Sequence, residues 1–143
     1  MLLNINEQFS RVSGSQVLAK IARQILCDEH RFDQEKEHFI AVGLNAKNEI
    51  KFVDLVTLGT LDASLVHPRE TFRRAVEQAA HSIAIIHNHP SGDPAPSQED
   101  RNVTERLIKA GKVLGIEVLD HVIVGNDTGK YCSLREDFEH LWH

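Results

Sequence analysis

Residues 87–100 read His-Asn-His-Pro-Ser-Gly-Asp-Pro-Ala-Pro-Ser-Gln-Glu-Asp, and the residue types and their spacing are those of a cation site. Side chains two positions apart in an extended backbone face the same way, so His87 and His89 can grip one ion while Asn88 points away. Asp100, on a second element, can close the set. Two imidazoles and a carboxylate are a three-ligand set of the kind catalytic zinc sites use, with a fourth position left for water. One zinc ion per chain is the expected cofactor.

The neighbouring elements suit that role. Ser82-Ile83-Ala84-Ile85-Ile86 is a short apolar run of the kind found in strands buried on both faces, and it delivers His87 and His89 at its C-terminal end. Downstream, Val103, Leu107, Ala110 and Leu114 form a stripe at helical spacing. Extending that stripe backward reaches Asp100, which places its carboxylate on the buried side. Ser97-x-x-Asp100 after Pro96 also fits a capping box, in which Ser97 caps the helix and the acid bonds back. A cap does not require its acid to share the apolar face, and burying an unpaired carboxylate costs several kcal/mol. A divalent cation nearby neutralises that charge.

His87-x-His89-Pro90, six residues, then Ser97-x-x-Asp100 resembles the JAMM signature of MPN-domain metalloproteases, and the longer string resembles the bacterial RadC branch of that family. The likeness continues through Gly59-Thr60-Leu61, His67-Pro68-Arg69-Glu70, Leu114-Gly115-Ile116 and Leu119-Asp120-His121, and covers about residues 12 to 134. The resemblance implies that His87, His89 and Asp100 bind zinc and that Ser97 hydrogen-bonds the water or the developing oxyanion. It also implies an upstream glutamate as general base. In such sequences this acid stands just before an apolar strand, the place of Glu37 in Lys36-Glu37-His38-Phe39-Ile40-Ala41-Val42. Glu35 has the same strand parity, so the choice between the two acids stays open here.

The implied activity is that of a zinc-dependent metallohydrolase, a metallopeptidase or isopeptidase cleaving an amide bond in a peptide or protein. The alternatives are a non-catalytic metal-binding module and a RadC-type protein associated with DNA repair. Longer RadC-like proteins carry an N-terminal helix-hairpin-helix region, and this chain begins almost at the MPN-like part, which speaks against direct DNA binding. The letters His-Asn-His do not make an HNH nuclease, whose named residues are dispersed along a ββα unit.

The 143 residues are a single-domain length, read as a polar N-terminal arm over 1–12 and one domain over 13–143. A formal charge of −5 with interspersed acids and bases does not favour nucleic acid, whose phosphates are neutralised by Lys and Arg. No signal peptide is visible and no apolar run reaches the length of a membrane span. Cys27 and Cys132 lack CxxC spacing and are expected as buried free thiols in a cytoplasmic chain. Neither the substrate nor the oligomeric state is legible.

Ser15 to Cys27 carries Val17, Leu18, Ile21 and Ile25 on one side of a helix. Glu37 to Leu44 and Ile50 to Leu58 are strands joined by the turn Asn45-Ala46-Lys47-Asn48. Thr60 to His67 is a loop, and Pro68 opens a helix with Phe72, Val76 and Ala79 inward. Glu117 to Val124 and Lys130 to Ser133 are strands, and Ser133-x-x-Glu136 caps a last helix ending near Trp142. Short turns make antiparallel pairs, whereas a helical crossover allows a parallel one. The expected fold is α/β: a mixed, largely antiparallel sheet with helices packed on its faces, the MPN/JAMM arrangement with cytidine deaminase-like layering. His38 points opposite to Glu37 and is expected outside the site; His121 is expected to be packed or hydrogen-bonded in the core, with support of the metal ligands from behind as the alternative.

Overall fold

Asn45 makes the first chain reversal. Its Oδ1 accepts from the backbone N–H groups of Lys47 and Glu49, and Asn48 adopts a left-handed conformation at φ 61°. The flanking segments fold back as an antiparallel pair, β1 (Glu37–Leu44) and β2 (Ile50–Gly59). On the other side of β1, β3 (Ser82–His89) pairs antiparallel from Phe39 opposite His87 to Leu44 opposite Ser82. A long helix then carries the chain across to β4 (Glu117–Gly125), which runs parallel to β3, and β5 (Tyr131–Ser133) returns antiparallel. This computed structural model describes residues 1–6, 8–59 and 66–143. Its five-stranded sheet has the order β2-β1-β3-β4-β5, mixed and mostly antiparallel, as expected from short turns and one long crossover.

The helices are α1 (Ser15–Asp28), α2 (Arg31–Gln34), α3 (Pro68–Thr71), α4 (Arg73–Glu77), α5 (Gln98–Leu114) and α6 (Leu134–Asp137), followed by a 3-10 turn at Glu139–Trp142. None among the described residues is long and apolar enough to cross a membrane. The alternation of β3 divides the core in two. Ile83 and Ile85 pack with Phe39 and with Val103 and Leu107 of α5, whereas Ala84 and Ile86 pack with Ile40, Val42 and the Leu18, Ile21 and Ile25 face of α1. The same parity sends His87 and His89 to the α5 face and Asn88 to the α1 face.

Several local expectations are revised. The helix after Pro68 breaks at Phe72 (φ −94°, ψ −5°), which shifts its phase. Phe72 and Ala75 face inward, Val76 is 59% exposed, and Ala79 has left the helix with φ 52°. The last helix likewise splits at Phe138, and Trp142 anchors the second piece by donating from Nε1 to the Val118 carbonyl at 2.7 Å. Leu114 is exposed, and the inner face of α5 runs instead through Asp100, Val103, Thr104, Leu107, Ile108 and Gly111. Cys27 is exposed and Cys132 buried, both as free thiols; burial and the adjoining Asp137 push the Cys132 thiol up to about 12. The N-terminal residues lie along β2, with the Leu3 N–H on the Val53 carbonyl and the Ile50 N–H on the Ser10 carbonyl, both at 2.8 Å. The loop read over residues 60–67 falls, for 60–65, outside the described residues.

Candidate metal centre

Backbone pairing between β1 and β3 stops at Phe39 opposite His87, and side chains beyond that point meet in a cleft. Glu37, His87 and His89 each offer one ligand atom there, all within 4.8 Å of one another. Strand parity explains the meeting: Glu37 lies on the Phe39 side of β1, and both histidines lie on the Ile85 side of β3. The first turn of α5 adds Asp100, with Oδ1 3.6 Å from His87 Nδ1 and Oδ2 3.2 Å from His89 Nε2. Glu37 Oε1 lies 3.7 Å from His87 Nε2. The structure thus brings His87, His89 and Asp100 together, and adds Glu37 to the same cluster. The mutually close trio is Glu37, His87 and His89, and a metal ion could be held there.

Asp100 is at once a cap and a wall of the cluster. Ser97 Oγ accepts from the Asp100 N–H at 3.0 Å, and Asp100 Oδ2 accepts from the Ser97 N–H at 2.8 Å, which completes the capping box. The Asp100 carbonyl accepts from Thr104 Oγ1 at 2.7 Å, and Thr104 Oγ1 in turn lies 2.6 Å from His121 Nδ1. Because the Thr104 proton is already committed, His121 must carry its own proton on Nδ1. Burial, followed by the neighbouring His87, drives the His121 pKa down to about 3, so this ring is neutral. It ties β4 to the start of α5 and to Asp100.

The donors fit a divalent cation. His89 Nδ1 lies 2.8 Å from the Asp93 carbonyl, which requires a proton there and leaves Nε2 as the binding nitrogen. In the absence of a cation, a proton on Nε2 takes its place: the hydrogen bond to Asp100 raises the His89 pKa. Burial alone would raise the Asp100 pKa, but its hydrogen bond with His89 and the charge of His87 hold the carboxyl well below the usual range. Both ring nitrogens of His87 are buried without a hydrogen-bond partner among the described residues. Buried polar atoms left in that state are costly, and a cation with two carboxylates beside it would relieve the cost.

Glu37 is the more open carboxylate, with 26% of its side chain exposed against 5% for Asp100. It lines a cleft of about 310 Å³ together with His89, Ser91, Ser97 and Asp100. Glu35 belongs to a different groove, beside Arg23 and Cys27, so of the two acids it is Glu37 that stands with the histidines. His38 turns away, with Nδ1 2.9 Å from the Lys36 carbonyl. The Asp93 carbonyl had no signature in the sequence, since any residue supplies one. Thr104, one helical turn after Asp100 and next to the buried stripe, is placed by its spacing alone to reach the same site.

Residues 13–140 match the family described as RadC-like JAB domain. A UPF0758 protein of Caldanaerobacter subterraneus subsp. tengcongensis is 48% identical over 143 residues, covering 97% of this chain and 58% of that protein. A UPF0758 protein of Symbiobacterium thermophilum is 57% identical over 100 residues, covering 70% of this chain and 42% of that protein. One from Methanosarcina mazei is 50% identical over 105 residues, covering 73% and 45% respectively. The chain spans about half the length of the curated relatives it matches. With this match spanning both core layers and every side chain of the cluster, the chain belongs to the RadC-like JAB domain family.

Proposed function

We propose that this domain is a zinc-dependent amide hydrolase, a metallopeptidase or isopeptidase, in which His87, His89 and Asp100 hold the ion. The observation that carries this reading is the convergence of two imidazoles and two carboxylates at an open cleft, with His89 Nδ1 committed to the Asp93 carbonyl. The two acids are unlike. Asp100 is buried and locked by the capping box, as suits a ligand, whereas Glu37 faces the cleft, as suits a group that exchanges protons with water and substrate.

Zinc, when bound, supplies a Lewis acid that brings the pKa of water down to about 7. Glu37 takes the proton of the attacking water and delivers it to the departing amine. Ser97 Oγ already accepts from the Asp100 N–H, so its own hydroxyl proton is the part that can donate to the carbonyl oxygen as charge develops there. One such donor contributes about 3–4 kcal/mol in hydrolases where it has been removed. The cleft side of Glu37 and Ser97 is where the scissile amide would lie.

Metal analysis of the purified protein, with His89→Ala alongside, tests the ligand set, and cleavage of a peptide library by the zinc-loaded form tests the reaction. Glu37→Gln should keep its zinc and lose turnover by about 10²–10⁴-fold. If Glu37 were instead the third ligand, that variant would lose the metal as well. Full activity in Glu37→Gln would move the base elsewhere.

A further inference from the structure

Glu37 sits two residues beyond the end of the β1–β3 ladder, whose last backbone pair is Phe39 with His87. β2 holds one edge of this strand end, with Glu37 opposite Gly59 and His38 opposite Leu58; the edge toward β3 is past its last backbone pair, and proton transfer needs the carboxylate held to a fraction of an ångström. The side chain of Asn88 occupies the gap. Its Oδ1 accepts from the His38 N–H at 2.5 Å, and its Nδ2 donates to the Lys36 carbonyl at 3.1 Å. The amide therefore reproduces one rung of a backbone ladder and grips the chain on both sides of Glu37.

The amide is itself held. Its Nδ2 also donates to Asn126 Oδ1 at 3.0 Å, and Asn126 Nδ2 donates to the Gln34 carbonyl at 2.7 Å. Asn126 is fixed in turn by its own N–H on the His89 carbonyl at 3.1 Å. Asn88 is 2% exposed, so water does not compete for these bonds. Its place between His87 and His89 couples the two sides of the site: parity aims the imidazoles at the α5 face and the amide at the start of β1. An aspartate in the same shape would keep the acceptor and lose both donors. A serine or alanine would not span the gap.

We infer that Asn88 is a positioning residue for Glu37, fixing the carboxylate relative to the two imidazoles from the opposite face of the sheet. The inference rests on the proposed role of Glu37 as the base. In zinc-loaded Asn88→Ala, zinc stoichiometry and KM should match the parent while kcat falls on the order of 10²-fold, the cost of an ångström-scale misplacement. Asn88→Asp should fall in the same direction. Adding Asn88→Ala to Glu37→Gln should lower kcat no further, because the residue acts through Glu37; a purely structural role would lower it again.

Crystal structures of the zinc-loaded parent and Asn88→Ala decide the point without turnover. Displacement or disorder of residues 36–38 with His87, His89 and Asp100 unmoved supports the clamp, and an unmoved, ordered Glu37 overturns it. Should both Asn88 variants fail to fold, hydrogen exchange in the zinc-loaded parent takes their place. A His38 amide protected as strongly as those of Ile40 and Val42 supports the clamp, and rapid exchange at His38 overturns it. A parent that cleaves no peptide in the library would count against the hydrolase reading alone.

Discussion

The two nitrogens of His89 carry separate duties, and their difference makes a pH prediction. Nδ1 is committed to the Asp93 carbonyl, while Nε2 faces Asp100. The hydrogen bond to Asp100 raises the His89 pKa above its ordinary value of 6.5. A raised imidazole pKa contributes stability that is present below 6.5 and lost as pH rises through the folded value. The Asp100 pKa is depressed despite burial, so its contribution is present above its ordinary 3.8 and lost as pH falls through the folded value. In the metal-free protein the pair therefore stabilises most between those two ordinary values. Zinc must displace the proton on Nε2, so its affinity should be weaker at pH 6 than at pH 8. Zinc titrations at the two pH values measure this directly, and equal affinities would show that no proton is given up at His89.

Between elements, the loop after β3 is seated on the β4–β5 turn by a close backbone approach. A side-chain carbon placed on Gly125 would stand 1.9 Å from the Gly92 carbonyl oxygen, and Gly92 itself has φ +94°. Thr128 Oγ1 donates to the same carbonyl at 3.1 Å. Because this loop carries the Asp93 carbonyl that orients His89, Gly125→Ala should lift the loop and misdirect the imidazole. Overpacking of this sort costs about 1–3 kcal/mol, readable by urea denaturation, and should come with weaker zinc binding. A variant that keeps both parent stability and parent affinity would separate the loop from the site. At this level the strands were the readable part: β1 was placed residue for residue because its continuous apolar run from Phe39 ends at the turn-rich Asn45-Ala46-Lys47-Asn48. The α3–α4 break was not, since a change of helical phase at Phe72 leaves residue composition unchanged.

Across the molecule, the cluster draws on β1, β3 and α5, which meet the two core layers on either side of the sheet. A ligand bound there joins parts that otherwise meet only through packing. Zinc at a free concentration a hundred times its Kd should stabilise the fold by about 2.7 kcal/mol. For a domain of this size each kcal/mol moves Tm by about 2–4 °C, so the midpoint should rise on the order of 5–10 °C. A chelator should reverse the rise, and His89→Ala should remove it. Calorimetry with and without zinc gives the answer, and a midpoint indifferent to the metal would remove the premise of the proposed function.

Local pattern was enough to point to a candidate cation site. The two histidines at strand spacing and the acid in line with a helical stripe follow from periods of two and 3.6 residues, which any short window of the chain displays, and the sheet's mixed character follows from the lengths of the connections between strands. What lay beyond such a window needed the folded molecule. The place of Glu37 beside the histidines, the second bond of Asp100, the Asp93 carbonyl behind His89 and the Asn88 amide beside His38 each depend on where distant segments come to rest. Those contacts are set by register and by the angle at which elements pack, and no single segment contains that information.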